Sequence, residues 1–264
     1  MHILDQIIRQ KRKEVRIKKD FCPVGNLKNI GFYQSEVNSL KSSINQQNNV
    51  PIIAEYKRRS PSKAIINNAI SITDVAETYQ NTKFCAMSIL TDQQFFGGSL
   101  EDLMLAKSKF SNPILRKDFI IEPYQIHEAK AFGADVILLI ASVLKISELK
   151  HLYKIAIDLG LEVLVEIHTI QELEKVLKID ADIIGINNRN LKTFEVDIKN
   201  SIALSYQIPK GKIKVSESGI SNSETIKLLK NEGFDAFLIG ENFMKSSPDN
   251  FAQNCSDFIQ KLSK

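Results

Sequence analysis

The sequence has no tryptophan, only three cysteines and no apolar run long enough to cross a membrane. A membrane-spanning helix needs about 20 mostly apolar residues, so no membrane partner is expected. The acidic Asp5 interrupts the N-terminal apolar stretch, unlike a secretory signal. Cys22, Cys85 and Cys255 are too few and too scattered for a disulfide framework or a zinc site. These absences predict a soluble, cytoplasmic protein with no structural metal.

The common glycine-rich nucleotide motifs are also absent. Neither G-x-G-x-x-G nor G-x-x-x-x-G-K-[ST] occurs, which argues against dinucleotide binding and P-loop chemistry. What remains is an ordinary globular composition, with 264 residues of which 43% are hydrophobic and 25% charged. That length and composition suffice for a sizeable core and exclude a disordered chain.

The net charge of +4 is concentrated in residues 1–20, which hold seven basic and three acidic side chains. One interpretation is an arm that binds nucleic acid or a membrane surface. The other is the solvated face of an amphipathic helix, since Leu4, Ile8 and Val15 fall near helical spacing. We favour the helix because no aromatic side chains interleave with the basic ones and no second basic patch occurs. No nucleic-acid partner is therefore expected.

After residue 50, short apolar runs recur eight times, separated by stretches of helical periodicity. Runs that are apolar on both faces indicate parallel strands covered on both sides. Eight such strand–helix units in about 210 residues predict a (β/α)8 TIM barrel, with a doubly wound open sheet as the alternative. The runs are Pro51–Lys57, Phe84–Leu90, Pro113–Lys117, Asp135–Ala141, Glu162–Ile167, Asp182–Asn187, Lys212–Glu217 and Asp235–Gly240, and helical stretches include Ile146–Leu159, Ile170–Leu177 and Asn250–Leu262.

The segment before the first strand is too short for a separate domain. Residues 1–50 are predicted to form an extension of about two helices, with a polar break near Ser43–Asn49. This extension is expected to pack on a catalytic barrel of residues 51–264, giving one domain overall.

Charged and polar residues end several of the predicted strands, where the functional site of a TIM barrel lies. Lysine and glutamate are rarely buried unless they are paired. Where lysines and carboxylates converge, we expect their pKa values to be shifted, which acid–base catalysis uses. The residues are Glu55 and Lys57 on one face of the first strand, Lys117 on the third, Glu166 on the fifth, Asn187 and Arg189 at the sixth, and Glu217 on the seventh.

Glycines follow the seventh and eighth predicted strands, in Ser218-Gly219 and Gly240-Glu241. Glycine lets backbone N–H groups approach an anion closely, and these two loops commonly bind phosphate in this fold. A phosphorylated small molecule is the ligand that this pattern favours.

Other chemically active side chains are interpreted as structural. His168 is expected to be an exposed polar residue, and His127 and His151 are expected to face solvent from helices. Cys85 is interpreted as a small core residue. Within Lys57-Arg58-Arg59, alternation of side chains predicts that only Lys57 reaches the site.

The strand-end residues lie in a series of motifs that resembles the indole-3-glycerol phosphate synthase family. The resemblance covers the whole barrel in order, and the extension before the first strand also resembles the extra helices of that family. The motifs are residues 53–62 (IAEYKRRSPS), 88–92 (SILTD) with Phe96, 115–119 (LRKDF), 165–167 (VEI), 185–191 (GINNRNL), 217–220 (ESGI) and 238–241 (LIGE).

The resemblance implies a chemistry that needs no cofactor or metal. The substrate would be 1-(2-carboxyphenylamino)-1-deoxyribulose 5-phosphate, which closes to an indole with loss of CO2 and water. Lys117 would be the general acid for ring closure. Glu166 and Lys57 would serve the later steps with Glu55 nearby, and the division among these three residues is left open.

The same resemblance implies the binding residues. Asn187 and Arg189 would orient the anthranilate moiety, with Arg189 or Lys57 facing its carboxylate. Phe96, Phe119 and Leu191 would form the wall around the aromatic ring. The phosphate would be held by Ser60, Ser218, Gly219, Gly240 and Glu241, and Glu217 would be a further substrate-binding residue.

The sequence departs from the family at Ala64, where glycine is common, and near Asn242, where a small residue is common. Ala64 disfavours a positive φ and predicts a stiffer first loop. A monomer is expected. Two other functions stay open: an aldolase-type barrel in which Lys117 or Lys57 forms a Schiff base, and a non-catalytic barrel that binds a phosphometabolite.

Overall fold

A closed barrel of parallel strands, paired in chain order from β1 to β8 and back to β1, forms the centre of the molecule. This computed structural model describes residues 3–189 and 195–262. Each predicted run contains one strand, so the TIM-barrel prediction is confirmed. The strands are β1 (Ile52–Tyr56), β2 (Ala86–Leu90), β3 (Ile114–Lys117), β4 (Val136–Ile140), β5 (Glu162–Ile167), β6 (Ile183–Asn187), β7 (Ile213–Glu217) and β8 (Ala236–Ile239).

Helices surround the barrel and cover both of its ends. Polar caps begin many of them: Asn222, for example, accepts a hydrogen bond from the backbone N–H of Thr225 at 2.8 Å. The helices are α1 (Ile3–Phe21), α2 (Val24–Leu27), α3 (Leu40–Gln46), α4 (Ile72–Asn81), α5 (Gln93–Phe96), α6 (Leu100–Lys107), α7 (Pro123–Ala131), α8 (Ile146–Asp158), α9 (Ile170–Leu177), α10 (Ile198–Ser205), α11 (Ser223–Asn231), α12 (Glu241–Met244) and α13 (Phe251–Leu262), with a 3₁₀ turn at Pro248–Asn250.

Alternation along the strands separates two apolar layers. One set of side chains packs between sheet and helices, as Ile52 and Ala54 do. The other set, including Ile53, Leu115 and Leu164, fills the barrel interior. Because side chains two positions apart share a face, the charged residues that follow these interior residues point into the carboxyl end of the barrel.

The opposite end of the barrel is closed by α3. Leu40 and Ile44 are buried against the interior layer, and Ser43 donates a hydrogen bond to the carbonyl oxygen of Cys85 at 2.6 Å. The predicted polar break near Ser43–Asn49 is therefore wrong for residues 43–46, which belong to α3. Apolar residues four positions apart let this polar segment bury one side of a helix turn.

At the carboxyl end, α1 lies over the mouth of the barrel. Its apolar side buries Val15, as predicted, together with Ile7, whereas the predicted Leu4 and Ile8 are only partly buried. Its basic side is largely exposed, but Lys11 is 1% exposed and forms ion pairs with Asp92 at 3.0 Å and Asp118 at 2.9 Å. The interpretation of the basic residues as a solvated face is wrong for this lysine, because carboxylates at the ends of β2 and β3 compensate its charge.

Within the described residues, no helix combines the length and apolar character needed to cross a bilayer.

Candidate active site

A cavity of about 400 Å³ opens at the carboxyl ends of the strands, beneath α1. Ile3, Leu4 and Ile7 of α1 form part of its wall. Nearly all the site residues predicted from the sequence line it: Glu55, Lys57, Ser60, Phe96, Lys117, Phe119, Glu166, Asn187, Arg189, Ser218, Gly219, Gly240 and Glu241. Leu191 lies outside the described residues.

Lys117 is the centre of a cluster of opposite charges. Its ammonium group bonds to the carboxylate of Glu217 and lies 3.6 Å from an oxygen of Glu166. Beside it, Lys57 donates a hydrogen bond to Glu55 at 2.7 Å. The carboxylates are at most 3% exposed, so each depends on a lysine for compensation. The sequence placed Glu217 among binding residues, whereas the structure joins it to Lys117.

Burial and the neighbouring charges in this cluster determine the pKa of each of its groups. Burial lowers the pKa of Lys117, but the carboxylates of Glu217, Glu166 and Glu55 outweigh it and hold that pKa well above its usual value. Burial raises the pKa of Glu55, but Lys57 and Lys117 outweigh it, and the net pKa is lowered. Burial, with repulsion from Glu166 and Glu55, raises the pKa of Glu217 to about 7 despite Lys117. The site thus combines a stable ammonium group with a carboxyl group that titrates near neutrality.

Two glycines make room for these carboxylates. A Cβ atom on Gly185 of β6 would lie 2.1 Å from Oε1 of Glu217, and one on Gly240 would lie 2.8 Å from Cβ and Oε1 of Glu55. The inward positions of both glutamates therefore require residues without side chains opposite them.

Apolar groups form another side of the cavity. The rings of Phe96 and Phe119 lie 6.0 Å apart, centroid to centroid, at 37°. Asp92 begins the short helix α5, which carries Phe96, by accepting a hydrogen bond from the backbone N–H of Phe95 at 2.7 Å. The predicted aromatic wall is thus assembled from the loops after β2 and β3. Leu90, Leu138, Ile140 and Leu238 also line the cavity, although they are not among the site residues predicted from the sequence.

The loops after β7 and β8 present backbone groups to the same cavity. Ser218 and Gly219 have φ values of 67° and 69°, and Gly240 precedes the N-terminus of α12. Such turns and helix starts direct N–H groups at an anion. A Cβ on Gly219 would also lie 2.4 Å from Val196, so glycine is required here for space as well as conformation.

Two lysines near these loops are not among the site residues predicted from the sequence. Lys63, in the loop after β1, and Lys245, after α12, both pair with the carboxylate of Glu241. Burial raises the pKa of Glu241, but the two lysines outweigh it and lower that pKa to about 2. No strand-end position marks either lysine, so only the folded arrangement reveals them.

The loop after β6 is tied to the loop after β7. Asn187 accepts a hydrogen bond from the N–H of Arg189 at 3.0 Å. Asn188 donates to the hydroxyl of Ser216 at 3.1 Å and to the carbonyl oxygen of Ser218 at 2.7 Å. These bonds hold the positive-φ turn at Ser218 in place.

The interpretations of the histidines are partly wrong. His151 is exposed, as expected. His127 is half-buried and hydrogen-bonded to the hydroxyl of Tyr33 at 2.6 Å. His168 is also largely buried, with Nε2 at 3.6 Å from Oε1 of Glu166. Alternation explains this position, because His168 follows Glu166 by two residues and continues the inward face.

The remaining structural interpretations are confirmed. Cys85 is buried. Arg58 turns away from Lys57 to pair with Asp102, and Arg59 donates to the carbonyl oxygen of Gln93 at 2.6 Å.

In the part of the chain that the structure describes, no group of three or more His, Cys, Asp or Glu side chains is arranged to hold a metal ion.

Together, the fold and the site define a (β/α)8 barrel with a lysine–carboxylate centre and a cavity at the carboxyl ends of its strands, bordered by the loops after β7 and β8. Among solved structures, the chain resembles the 3-hexulose-6-phosphate synthase from Salmonella typhimurium, with a TM-score of 0.58 at 15% identity over 80% of this chain and 99% of that one. At this identity the likeness concerns the fold alone.

Sequence comparison is more specific. Residues 4–255 match the family described as indole-3-glycerol phosphate synthase. The indole-3-glycerol phosphate synthase of Caldanaerobacter subterraneus subsp. tengcongensis is 46% identical over 98% of each chain. That of Bacteroides thetaiotaomicron is 44% identical over 98% of this chain and 99% of its own. The chain belongs to the indole-3-glycerol phosphate synthase family, whose members are carboxy-lyases of tryptophan biosynthesis.

Proposed function

We propose that the protein converts 1-(2-carboxyphenylamino)-1-deoxyribulose 5-phosphate to indole-3-glycerol phosphate, with release of CO2 and water. The observation that supports this most is the position of Lys117 among three buried carboxylates, facing a cavity with aromatic rings on one side and an anion-binding rim on another. The substrate carries an aromatic ring, a carboxylate and a phosphate, so its chemistry matches each part.

The first step is ring closure. The aromatic carbon that bears the carboxylate attacks the ketone carbon, and the ketone oxygen needs a proton as the new carbon–carbon bond forms. Lys117 serves as the general acid. Its raised pKa keeps it protonated near pH 7, which suits an acid and opposes the neutral amine that a Schiff base requires.

Decarboxylation and dehydration follow. When CO2 leaves, the electrons of its bond return to the ring and restore aromaticity. The new hydroxyl then leaves as water with a proton from the site, while a base removes a proton from the neighbouring carbon. Glu166 and Lys57 carry these transfers, and Glu55 stabilises the charge of Lys57 at 2.7 Å.

Binding is assigned to the remaining lining residues. Phe96 and Phe119 enclose the anthranilate ring, and Asn187 and Arg189 orient its carboxylate. The phosphate occupies the rim formed by the groups at Ser60, Ser218, Gly219, Gly240 and Glu241. Lys63 and Lys245 lie beside that rim and add positive charge there. Glu217 acts through Lys117, and Leu191 is proposed to complete the apolar wall.

The test is a fluorescence assay for indole-3-glycerol phosphate with the purified chain and no added metal. Turnover that persists after borohydride treatment in the presence of substrate supports acid–base chemistry. Inactivation by borohydride, with a substrate adduct on Lys117 or Lys57, would instead establish the Schiff-base barrel. Binding of the substrate without turnover would indicate a phosphometabolite-binding barrel.

The same proposal includes a cytoplasmic monomer. Sedimentation at micromolar concentration tests the monomer, because a dimer would double the mass of 29.8 kDa.

A further inference from the structure

His168 lies directly behind the proposed acid–base residue Glu166. It follows the end of β5 and precedes α9, and its side chain is 13% exposed. Nε2 lies 3.6 Å from Oε1 of Glu166, and Nδ1 lies 3.6 Å from Oε2 of Glu172. The imidazole thus separates a carboxylate inside the barrel from one on a surface helix.

Glu166 lies between Lys117 and His168. Its Oε2 faces Lys117 and its Oε1 faces His168, both at 3.6 Å. Nε2 of His168 is buried without a hydrogen-bond partner among the described residues. A buried polar atom without a partner is costly, which points to a bond that forms during the reaction.

The far side of His168 is anchored. Glu172 accepts a hydrogen bond from the backbone N–H of His168 at 2.6 Å, and Asn200 donates to the carbonyl oxygen of His168 at 3.3 Å. Burial raises the pKa of Glu172, but the hydrogen bonds from His168 outweigh it and lower that pKa, so an ionised carboxylate lies beside the ring. This arrangement fixes the ring between its two carboxylates.

The proposed reaction requires a proton from outside. The substrate carboxylate leaves as neutral CO2, so the product carries one negative charge fewer and one proton is taken up in each turnover. The site that consumes this proton is buried and lies beneath α1.

We propose that His168 is a positioning residue that relays this proton from solvent to Glu166, with Glu172 holding the imidazolium form of the ring. The inference rests on the proposed function and extends it. In each cycle the imidazolium gives its Nε2 proton to Glu166 and becomes neutral, while its Nδ1–H continues to face Glu172. One proton taken from solvent then restores the imidazolium, which accounts for the proton consumed in each turnover.

The charges around the ring support a relay near neutral pH. Glu166 on β5, Glu172 on α9 and Glu217 on β7 face it, and Lys175 lies beyond Glu172. Burial lowers the pKa of His168, but the carboxylates outweigh it and leave that pKa raised. The imidazolium is therefore accessible where a neutral histidine would otherwise dominate.

The test compares His168→Asn with the unmodified chain in the turnover assay, with His151→Asn as the control for an exposed histidine. We expect kcat of His168→Asn to fall about tenfold at pH 8, less than the ~10²–10⁴ expected for loss of an acid–base group itself. KM should stay within twofold, and added imidazole should restore much of the lost kcat. His151→Asn should behave like the unmodified chain.

A kcat within twofold of the unmodified chain, or a loss that imidazole does not restore, would overturn the relay. If His168→Asn does not fold, Glu172→Gln gives the same test, because glutamine can still accept the backbone hydrogen bond. Lack of turnover by the unmodified chain would overturn the proposed function and the relay with it. Normal turnover by the unmodified chain and by His168→Asn would overturn the relay alone.

Discussion

The ammonium group of Lys11 lies 2.9 Å from the carboxylate of Asp118, the residue that follows Lys117. Lys11 also pairs with Asp92, which caps the helix carrying Phe96. One buried charge on α1 therefore contacts the loops that hold the proposed general acid and part of the aromatic wall. Burial lowers the pKa of Lys11, but its carboxylate partners outweigh it and raise that pKa well above its usual value.

Replacing Lys11 should destabilise the protein strongly. Lys11→Met leaves the carboxylates of Asp92 and Asp118 buried without this partner, and breaking a buried ion pair typically costs about 3–5 kcal/mol. Urea unfolding at pH 7 measures the change in the free energy of unfolding. Lys13→Met, at an exposed position of the same helix, should change it by less than about 0.5 kcal/mol. Equal effects of the two substitutions would show that the buried pairs contribute little.

Lys117→Ala should nearly abolish turnover while the chain stays folded. Loss of a general acid typically lowers the rate by ~10²–10⁴, and no other lysine lies on the inward face of β3. The fluorescence assay measures turnover and circular dichroism checks the fold. Lys109→Ala, in the exposed segment before β3, is the control and should retain full activity. Turnover of Lys117→Ala within threefold of the unmodified chain would contradict the assignment.

The titration of Glu217 should appear in the pH profile. Because its pKa is raised to about 7, the group loses its charge below that pH and Lys117 loses its closest carboxylate. We expect kcat at saturating substrate to fall as the pH drops through about 7, and Glu217→Gln to lack this acid limb. Glu101→Gln, an exposed control, should keep it. An unchanged acid limb in Glu217→Gln would assign the titration to another group.

The raised pKa of Glu217 also predicts that stability falls as the pH rises, opposite to the expected pH dependence of kcat. A carboxyl group whose pKa is higher in the folded than in the unfolded state favours folding at low pH, and this contribution is lost as the pH rises through about 7. The free energy of unfolding of Glu217→Gln, relative to the unmodified chain, should therefore increase between pH 5 and pH 8.

Gly185→Ala should impair catalysis more than folding. The added Cβ would overlap Oε1 of Glu217, and the displaced carboxylate would move Lys117 with it. We expect kcat to fall by about tenfold or more, since small displacements of catalytic groups are costly. Steady-state kinetics and thermal unfolding separate the two effects. Gly25→Ala, where a Cβ meets no atom within 4 Å, is the matched control. Normal kcat for Gly185→Ala would show that Glu217 does not fix Lys117.

The sequence predicts the barrel well because its strands are local features. A run such as Glu162–Ile167 is apolar enough to be recognised alone, and alternation along it places Glu166 on the inward face. The partners of a charge depend instead on residues distant in sequence. Nothing near Lys11 indicates Asp118, and nothing near Lys117 indicates Glu217, so these pairings emerge only when the strands close into a barrel.

The same limit explains the missed residues. His168 continues the alternation of β5, but it lies one residue beyond the predicted end of that strand, where the chain need not keep the alternation. Lys63 and Lys245 lie in loops and meet only through Glu241, which is distant in sequence from Lys63. For all three residues, the contacts that they make depend on the tertiary fold.

The contact between Lys11 and the loops after β2 and β3 also bears on the order of assembly. During synthesis α1 is made before the barrel, and roughly a hundred residues separate Lys11 from Asp118; contacts so distant in sequence form slowly. Until Asp118 has been made, α1 lacks at least one of the two loop carboxylates that compensate the charge of its lysine. The cavity wall formed by Ile3, Leu4 and Ile7 is therefore expected to close only after the first half of the barrel has folded. A nascent chain gains its binding cavity late, although the helix that covers this cavity is made before the barrel.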